Sequence, residues 1–264
     1  MRDTAAWEIA RPARTRPGAD LAGFRIPGDR PAELRAIPHP AVTVAIEFSG
    51  RPVAVGGRRM TSVVAGLGFS VFRVRAEGVD CVQLRLSPLL AHPVLGLPLA
   101  ELRGQVLSLD DLWGRGTSAL RERLHDARTW PARFALVEAE LAARLDAGRT
   151  VDPEVAWVWR EILGSHGRVR VRELAARTGW SRQRLWSRFG AQIGLTPKRA
   201  AMLVRFDHAV HRLVRGHSAA RVAAEGGYAD QSHLHHEIRA FTGTTPVAAA
   251  GEPWLAVDER AWPG

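Results

Sequence analysis

One cysteine, Cys81, stands in a chain of 264 residues. No intrachain disulfide can form and no thiolate cage can hold a metal, which suits a reducing compartment. No run of about 18 apolar residues occurs, so no membrane-spanning helix is expected. The opening Met1-Arg-Asp-Thr-Ala-Ala-Trp7 lacks the basic-then-apolar order of a secretory signal. The expected location is the cytoplasm, with no membrane partner. Lysine is equally scarce: Lys198 is the only one, and arginine supplies nearly all of the 37 basic residues. Missing as well are a Ser/His/Asp set, a phosphate-cradling glycine loop and paired carboxylates beside a pocket, so neither catalysis nor a cofactor is expected.

What is present is ordinary in amount and uneven in distribution. An apolar content of 46% can build a core, and the length suits two domains. Of the net charge of +10, residues 1–154 hold 21 basic and 18 acidic side chains, residues 155–250 hold 15 and 6, and residues 251–264 hold 1 and 3. A basic excess confined to one segment is the footprint of a polyanion partner, because each neutralised phosphate releases counterions. A solvated basic face would give the same count, so charge alone does not decide.

Periodicity divides the chain further. The first 37 or so residues are rich in Pro, Arg and Gly with little period, which predicts irregular structure or an edge strand. Strands are expected at Val42–Phe48, Val53–Val55, Phe69–Val74 and Val79–Leu86, separated by Gly-rich turns. Beyond Leu86 the period moves toward 3.6: short helical pieces near Leu97–Leu102 and Leu109–Trp113, then stripes through Leu120 and Leu124, and through Phe134, Val137, Leu141 and Leu145 up to Gly148. Asp152-Pro153 reads as the cap and first turn of another helix, running through Trp157 and Ile162 to Gly164.

The sharpest feature is an internal repeat. Leu174-Ala-Ala-Arg-Thr-Gly-Trp-Ser181 is followed by Leu185, Phe189, Gly194 and Pro197; Val222-Ala-Ala-Glu-Gly-Gly-Tyr-Ala-Asp230 is followed by Leu234, Ile238, Gly243 and Pro246. Each copy is a short helix with a small Ala pair, a glycine-aromatic turn, and an amphipathic helix ending at Gly-x-Thr-Pro. That is a helix-turn-helix. Leu185 with Phe189, and Leu234 with Ile238, lie four apart and face inward, so their neighbours face out. The outward set is Ser181, Arg182, Gln183, Arg184, Trp186, Ser187 and Arg188 in the first copy, and Asp230, Gln231, Ser232, His233, His235, His236 and Arg239 in the second. Such side chains read base edges or grip phosphates. Between the copies, Pro197–Arg215 predicts a helix on the order of 27 Å long, against the ~34 Å between successive major-groove faces.

Residues ~168–250 resemble the reader of the AraC/XylS family of bacterial transcription regulators. The string Ala223-Ala-Glu-Gly-Gly-Tyr-Ala-Asp-Gln-Ser-His-Leu234 is similar to that family's second unit. The resemblance implies base reading by Gln183, Trp186 and Ser187 and by Gln231, Ser232, His233 and His236. Ser187 and His236 stand where the family commonly has arginine, and Ile238 where it has Phe. Arg172 and Lys198 are expected to grip the backbone. With less specificity, the stretches Val79–Leu90, Leu95–Leu102 and Leu107–Gly114 resemble the N-terminal half of an AraC-like subgroup common in actinobacteria.

The fold expected is α+β: a small N-terminal β-barrel or sandwich-like domain (1–105) as regulator or sensor, a helical linker (106–150), an all-α reader (151–250) whose two units are joined by a long helix, and a tail (251–264). The partners implied are double-stranded DNA and, by analogy with the family, a small-molecule effector, RNA polymerase if the protein activates, and a second copy of the chain. The alternative is a DNA-repair or other enzyme fused to the same reader, with Cys81 accepting an alkyl group. Cys81 sits in an alternating strand, which favours a structural cysteine. His233, His235, His236, His208 and His211 invite a zinc reading, but no two of them are four apart on one helix face and no thiolate is available, so no metal is expected. Trp157, Trp159 and Trp180 read as core. Asp110 and Asp111 read as compensating a helix dipole rather than as catalytic acids.

Overall fold

In the computed structural model, which describes residues 7–28, 32–148 and 150–262, alternation and turn glycines produce short strands that pair antiparallel throughout. The signal-sequence reading of residues 1–6 lies outside the described residues. The strands are β1 (Glu8–Ala10), β2 (Ala19–Arg25), β3 (Ala32–Ala36), β4 (Val42–Glu47), β5 (Val53–Val55), β6 (Arg58–Met60), β7 (Ser62–Ala65), β8 (Phe72–Ala76), β9 (Asp80–Leu86) and β10 (Val106–Ser108). They form one sheet in the order β1-β2-β9-β4-β7-β10 and another in the order β3-β8-β5-β6. The sheets face each other as an open sandwich rather than a closed barrel.

The large sheet is covered on both faces, which explains why its strands do not alternate cleanly. Leu21, Val44, Ile46, Val82 and Leu84 share one core with Leu120, Leu124, Phe134 and Val137 of the following helices. Phe24, Thr43, Ala45, Val63 and Gln83 point the other way, toward the small sheet. The expectation of irregular structure or an edge strand at the N-terminus holds for β1 and β3, the outermost strands of their sheets, but not for the strand between them in sequence. β2 is an interior strand between β1 and β9, with Leu21, Ala22 and Phe24 buried. Its Gly23 lies directly beneath the Trp130 ring, where any Cβ would collide.

Helices α1 (Pro88–Leu95), α2 (Leu109–Trp113), α3 (Arg115–Asp126) and α4 (Trp130–Ala147), with a 3-10 turn at Leu99–Leu102, cover the large sheet. Ser108 caps α2 and donates to Asp110 at 3.2 Å, so this acid belongs to a helix start, as read from the sequence. The helical half then runs α5 (Pro153–Gly164), α6 (Val171–Thr178), α7 (Arg182–Ile193), α8 (Pro197–Val214), α9 (Ala219–Gly226), α10 (Gln231–Thr242), α11 (Pro246–Ala250) and α12 (Pro253–Ala261).

The sequence repeat is a geometric repeat. In both copies an 8-residue helix meets a 12-residue helix, α6 with α7 and α9 with α10. The turn glycines Gly179 and Gly227 have φ of 68° and 77°. After each Gly-x-Thr-Pro, the threonine hydroxyl accepts from the third backbone N–H: Thr196 from Arg199, Thr245 from Ala248. Val222, Leu234, Ile238 and Leu174, Leu185, Phe189 are all buried.

The two units also lean on the sheet half. Arg103 Nε donates to the Gly194 carbonyl at 2.6 Å, and Phe241 of α10 stacks on Phe206 of α8 and Phe69 before β8, with centroids 4.2 and 4.7 Å apart. Gly194 and Gly243 hold matching C-caps, with φ of 89° and 71°, yet a Cβ on Gly194 would lie 2.7 Å from the Leu99 carbonyl oxygen while one on Gly243 meets nothing. Gly243→Ala is expected to cost about 1 kcal/mol for the left-handed backbone alone. Gly194→Ala is expected to cost about 1–3 kcal/mol, the excess arising from the contact with the 3-10 turn. Thermal melting of both variants measures the difference.

Candidate nucleic-acid interface and interior cavity

The inward residues Leu185 and Phe189 of α7 and Leu234, Ile238 and Phe241 of α10 turn the remaining side chains of each helix outward. On α7, Arg182, Gln183, Arg184, Ser187 and Arg188 are exposed, as is Ser181, and Trp186 is half-buried. On α10, Gln231, Ser232, His233, His235, His236 and Arg239 are exposed, as is Asp230 before it. Lys198 and Arg172 are exposed as well.

Several of these side chains have intramolecular partners that the sequence did not disclose. Ser181 and Asp230 are N-caps, accepting from the backbone N–H of Arg184 at 3.2 Å and His233 at 2.7 Å. Arg188 grips Asp152 with Nε at 2.7 Å and Nη2 at 2.8 Å. The hydrogen bond from Arg188 is the main reason the Asp152 carboxyl lies below its ordinary range. Asp152 was expected to cap α5 with its side chain; it makes no such bond, because the guanidinium holds it. The His233 ring packs edge-on against Tyr228, and its Nδ1 accepts from the Ala229 N–H at 3.3 Å. Arg182 lies over Trp186 and Arg184 over Trp180, at 5.7 and 4.4 Å from the ring centroids. Trp159 is fully buried, and Trp157 and Trp180 are half-buried, in keeping with a packing role.

Beneath α10 lies a group that sequence reasoning missed. Glu237 is buried and receives Arg205 of α8 (Nε to Oε1, 3.0 Å; Nη2 to Oε2) and the Tyr228 hydroxyl at 2.9 Å. Burial first, then the Glu237 carboxylate, pushes the Tyr228 phenol well above its ordinary range. The signal was in the spacing: 234, 237, 238 and 241 form one i, i+3, i+4, i+7 stripe, so Glu237 had to point inward.

Between the sheets lies a cavity of about 140 Å³, walled by both sheets and by Trp254 of α12. Among the described residues that line it there is no Asp, Glu, Lys or Arg; its polar groups come from His39, Thr43, Ser70, Cys81 and Gln83. The Thr43 hydroxyl is 3.0 Å from His39 Nε2. Burial, reinforced by Arg85, holds the His39 imidazole well below its ordinary range, so it is neutral at pH 7. Burial and the nearby Glu47 and Asp80 push the Cys81 thiol up to about 12. A thiol so held is a poor nucleophile. No group of three or more potential metal ligands occurs among the described residues, and none of their helices is long and apolar enough to cross a membrane.

A family described as a helix-turn-helix domain matches residues 174–250. No curated protein matches the chain. Solved structures with a similar arrangement include ToxT from Vibrio cholerae, 9% identical, covering 88% of this chain and 98% of that one with a TM-score of 0.49. Others are the C-terminal domain of AraT, a response regulator from Geobacillus stearothermophilus (16% identical, 38% and 85% covered, TM-score 0.36), and the AraC-like transcriptional activator CuxR (17%, 86% and 90%, 0.30). Residues 174–250 thus carry a helix-turn-helix domain of AraC type.

Proposed function

We propose that the protein is a sequence-specific transcription regulator in which α7 and α10 read bases and a small molecule held between the sheets biases DNA affinity. The sheet half acts as sensor together with 106–150, which was expected as a linker but supplies β10 and the helices that cover the large sheet, and 151–250 acts as reader. The observation that carries the reading is the duplication: two helices with matched caps and buried sides leave Gln183, Ser187, Gln231, Ser232 and His236 exposed on their free faces. α8, 18 residues long, spans about 27 Å between the units. This approaches the ~34 Å that separates successive major-groove faces on one side of a duplex.

Gln183→Ala and Gln231→Ala are each expected to lose about 1–3 kcal/mol on the cognate operator and little on random DNA. Arg172→Ala and Lys198→Ala should weaken both DNAs alike, because phosphates carry no sequence. Duplex titrations at fixed salt, on operators selected from a genomic library, measure this. Equal losses on both DNAs for the glutamine variants would count against base reading.

A further inference from the structure

The geometry points to α12 as the element that carries the state of the cavity to the helix connecting the two DNA-reading units, and to a compact, uncharged, largely apolar molecule as the cavity's ligand. The inference rests on reading that cavity as the effector site. Its walls hold no ionised group among the described residues, and His39 is neutral there. A carboxylate or ammonium would leave water with no counter-charge, at a cost far beyond what apolar contact returns. An apolar cavity of roughly this size accepts a molecule on the order of benzene. Thr43, Gln83 and Ser70 can orient one hydroxyl or carbonyl on it.

Residues 251–264 read as a mere tail from the sequence, yet α12 returns to both halves of the molecule. Trp254 forms part of the cavity wall. One helical turn on, and therefore on the same face, Asp258 binds Arg85 of β9 through both carboxylate oxygens, with Nη1 to Oδ2 at 3.1 Å. The same Asp258 lies 3.4 Å from His211 Nε2 of α8, and Glu259 is 3.0 Å from His211 Nδ1. At its start, Glu252 receives Arg35 of β3 at 2.6 Å, and Arg35 also donates to the Thr242 carbonyl at the end of α10. Near its end, Arg260 donates to the carbonyl of Trp7, whose ring lines the same cavity. A molecule that moves the Trp254 indole thus moves the helix bearing Asp258 and Glu259, and with it the carboxylates that hold His211. Such a device shifts populations only if the ligand favours one position of α12.

Hydrogen–deuterium exchange of the full chain tests this with three probes of one size: benzyl alcohol, benzoate and benzylammonium. Benzyl alcohol is expected to change exchange in 253–261 and 207–214 tenfold or more, while the two ions leave it unchanged at the same concentration. Trp254→Ala should speed exchange in 253–261 without any probe and leave β4 and β9 as they were. An equal response to either ion, a response confined to the cavity strands, or none to benzyl alcohol up to its solubility overturns the inference. Duplex affinity is measured alongside. If α12 and α8 respond while affinity does not, effector control fails and the coupling stands; if affinity responds with α12 silent, the reverse holds.

Discussion

Glu237→Ala is expected to lower stability by about 3–5 kcal/mol, because it strands Arg205 and the Tyr228 hydroxyl beneath α10 with no acceptor. The Glu237 side chain is only 3% exposed and that of Arg205 17%, so water cannot replace the lost carboxylate. At roughly 2–4 °C per kcal/mol for a chain of this size, the melting temperature should fall by on the order of 10 °C. Glu237→Gln, which keeps an acceptor but no charge, should fall between. Glu161→Ala breaks the exposed pair with Arg177, whose side chains are 33% and 57% accessible, and should cost under about 1 kcal/mol. Equal effects at positions 237 and 161 would show that the buried ion pair does not hold α10 to α8.

Alkaline pH should also loosen the molecule, through His211. Burial by itself would lower this imidazole, but the hydrogen bond and charge of Asp207, the charge of Asp258 and the hydrogen bond to Glu259 outweigh it and raise the group to about 9. A group raised in the folded state contributes fully below its unfolded value, near 6.5, and loses that contribution as pH rises through about 9. Stability should therefore decline by about 3 kcal/mol between pH 6.5 and 9. His39 acts in the opposite direction: lowered in the folded state, it contributes above 6.5 and loses that contribution as pH falls. Urea denaturation across this range should show a maximum near neutrality, and His211→Gln should flatten the alkaline limb only. A wild-type alkaline limb that survives in His211→Gln would place its origin elsewhere.

Much of the DNA-reading half was legible because its signals are local. The Ala pair, the turn glycine, the threonine cap with proline after it and the four-residue spacing of Leu185 and Phe189 each dictate a conformation within a few residues. The strands at Val42–Glu47, Val53–Val55 and Asp80–Leu86 were legible for the same reason. β8 runs from Phe72 to Ala76, later than the expected Phe69–Val74, because Phe69 is drawn into the aromatic stack with Phe241. β2 stayed hidden because a strand buried on both faces does not alternate. α12 stayed hidden because what orders it lies far off in sequence: Arg35, Arg85 and His211. Of the exposed candidates, Ser181 and Asp230 are also N-caps, a role their residue types directly before a helix favour, whereas Arg188 holds Asp152 through a contact that residue type and spacing do not reveal.

Hydroxyl-radical footprinting on a selected operator puts the two-reader account to its most direct test. The full chain should protect two patches on one face of the duplex, about one helical turn apart, with Gln183→Ala weakening one patch and Gln231→Ala the other. A single protected patch, or both variants weakening the same one, would contradict it.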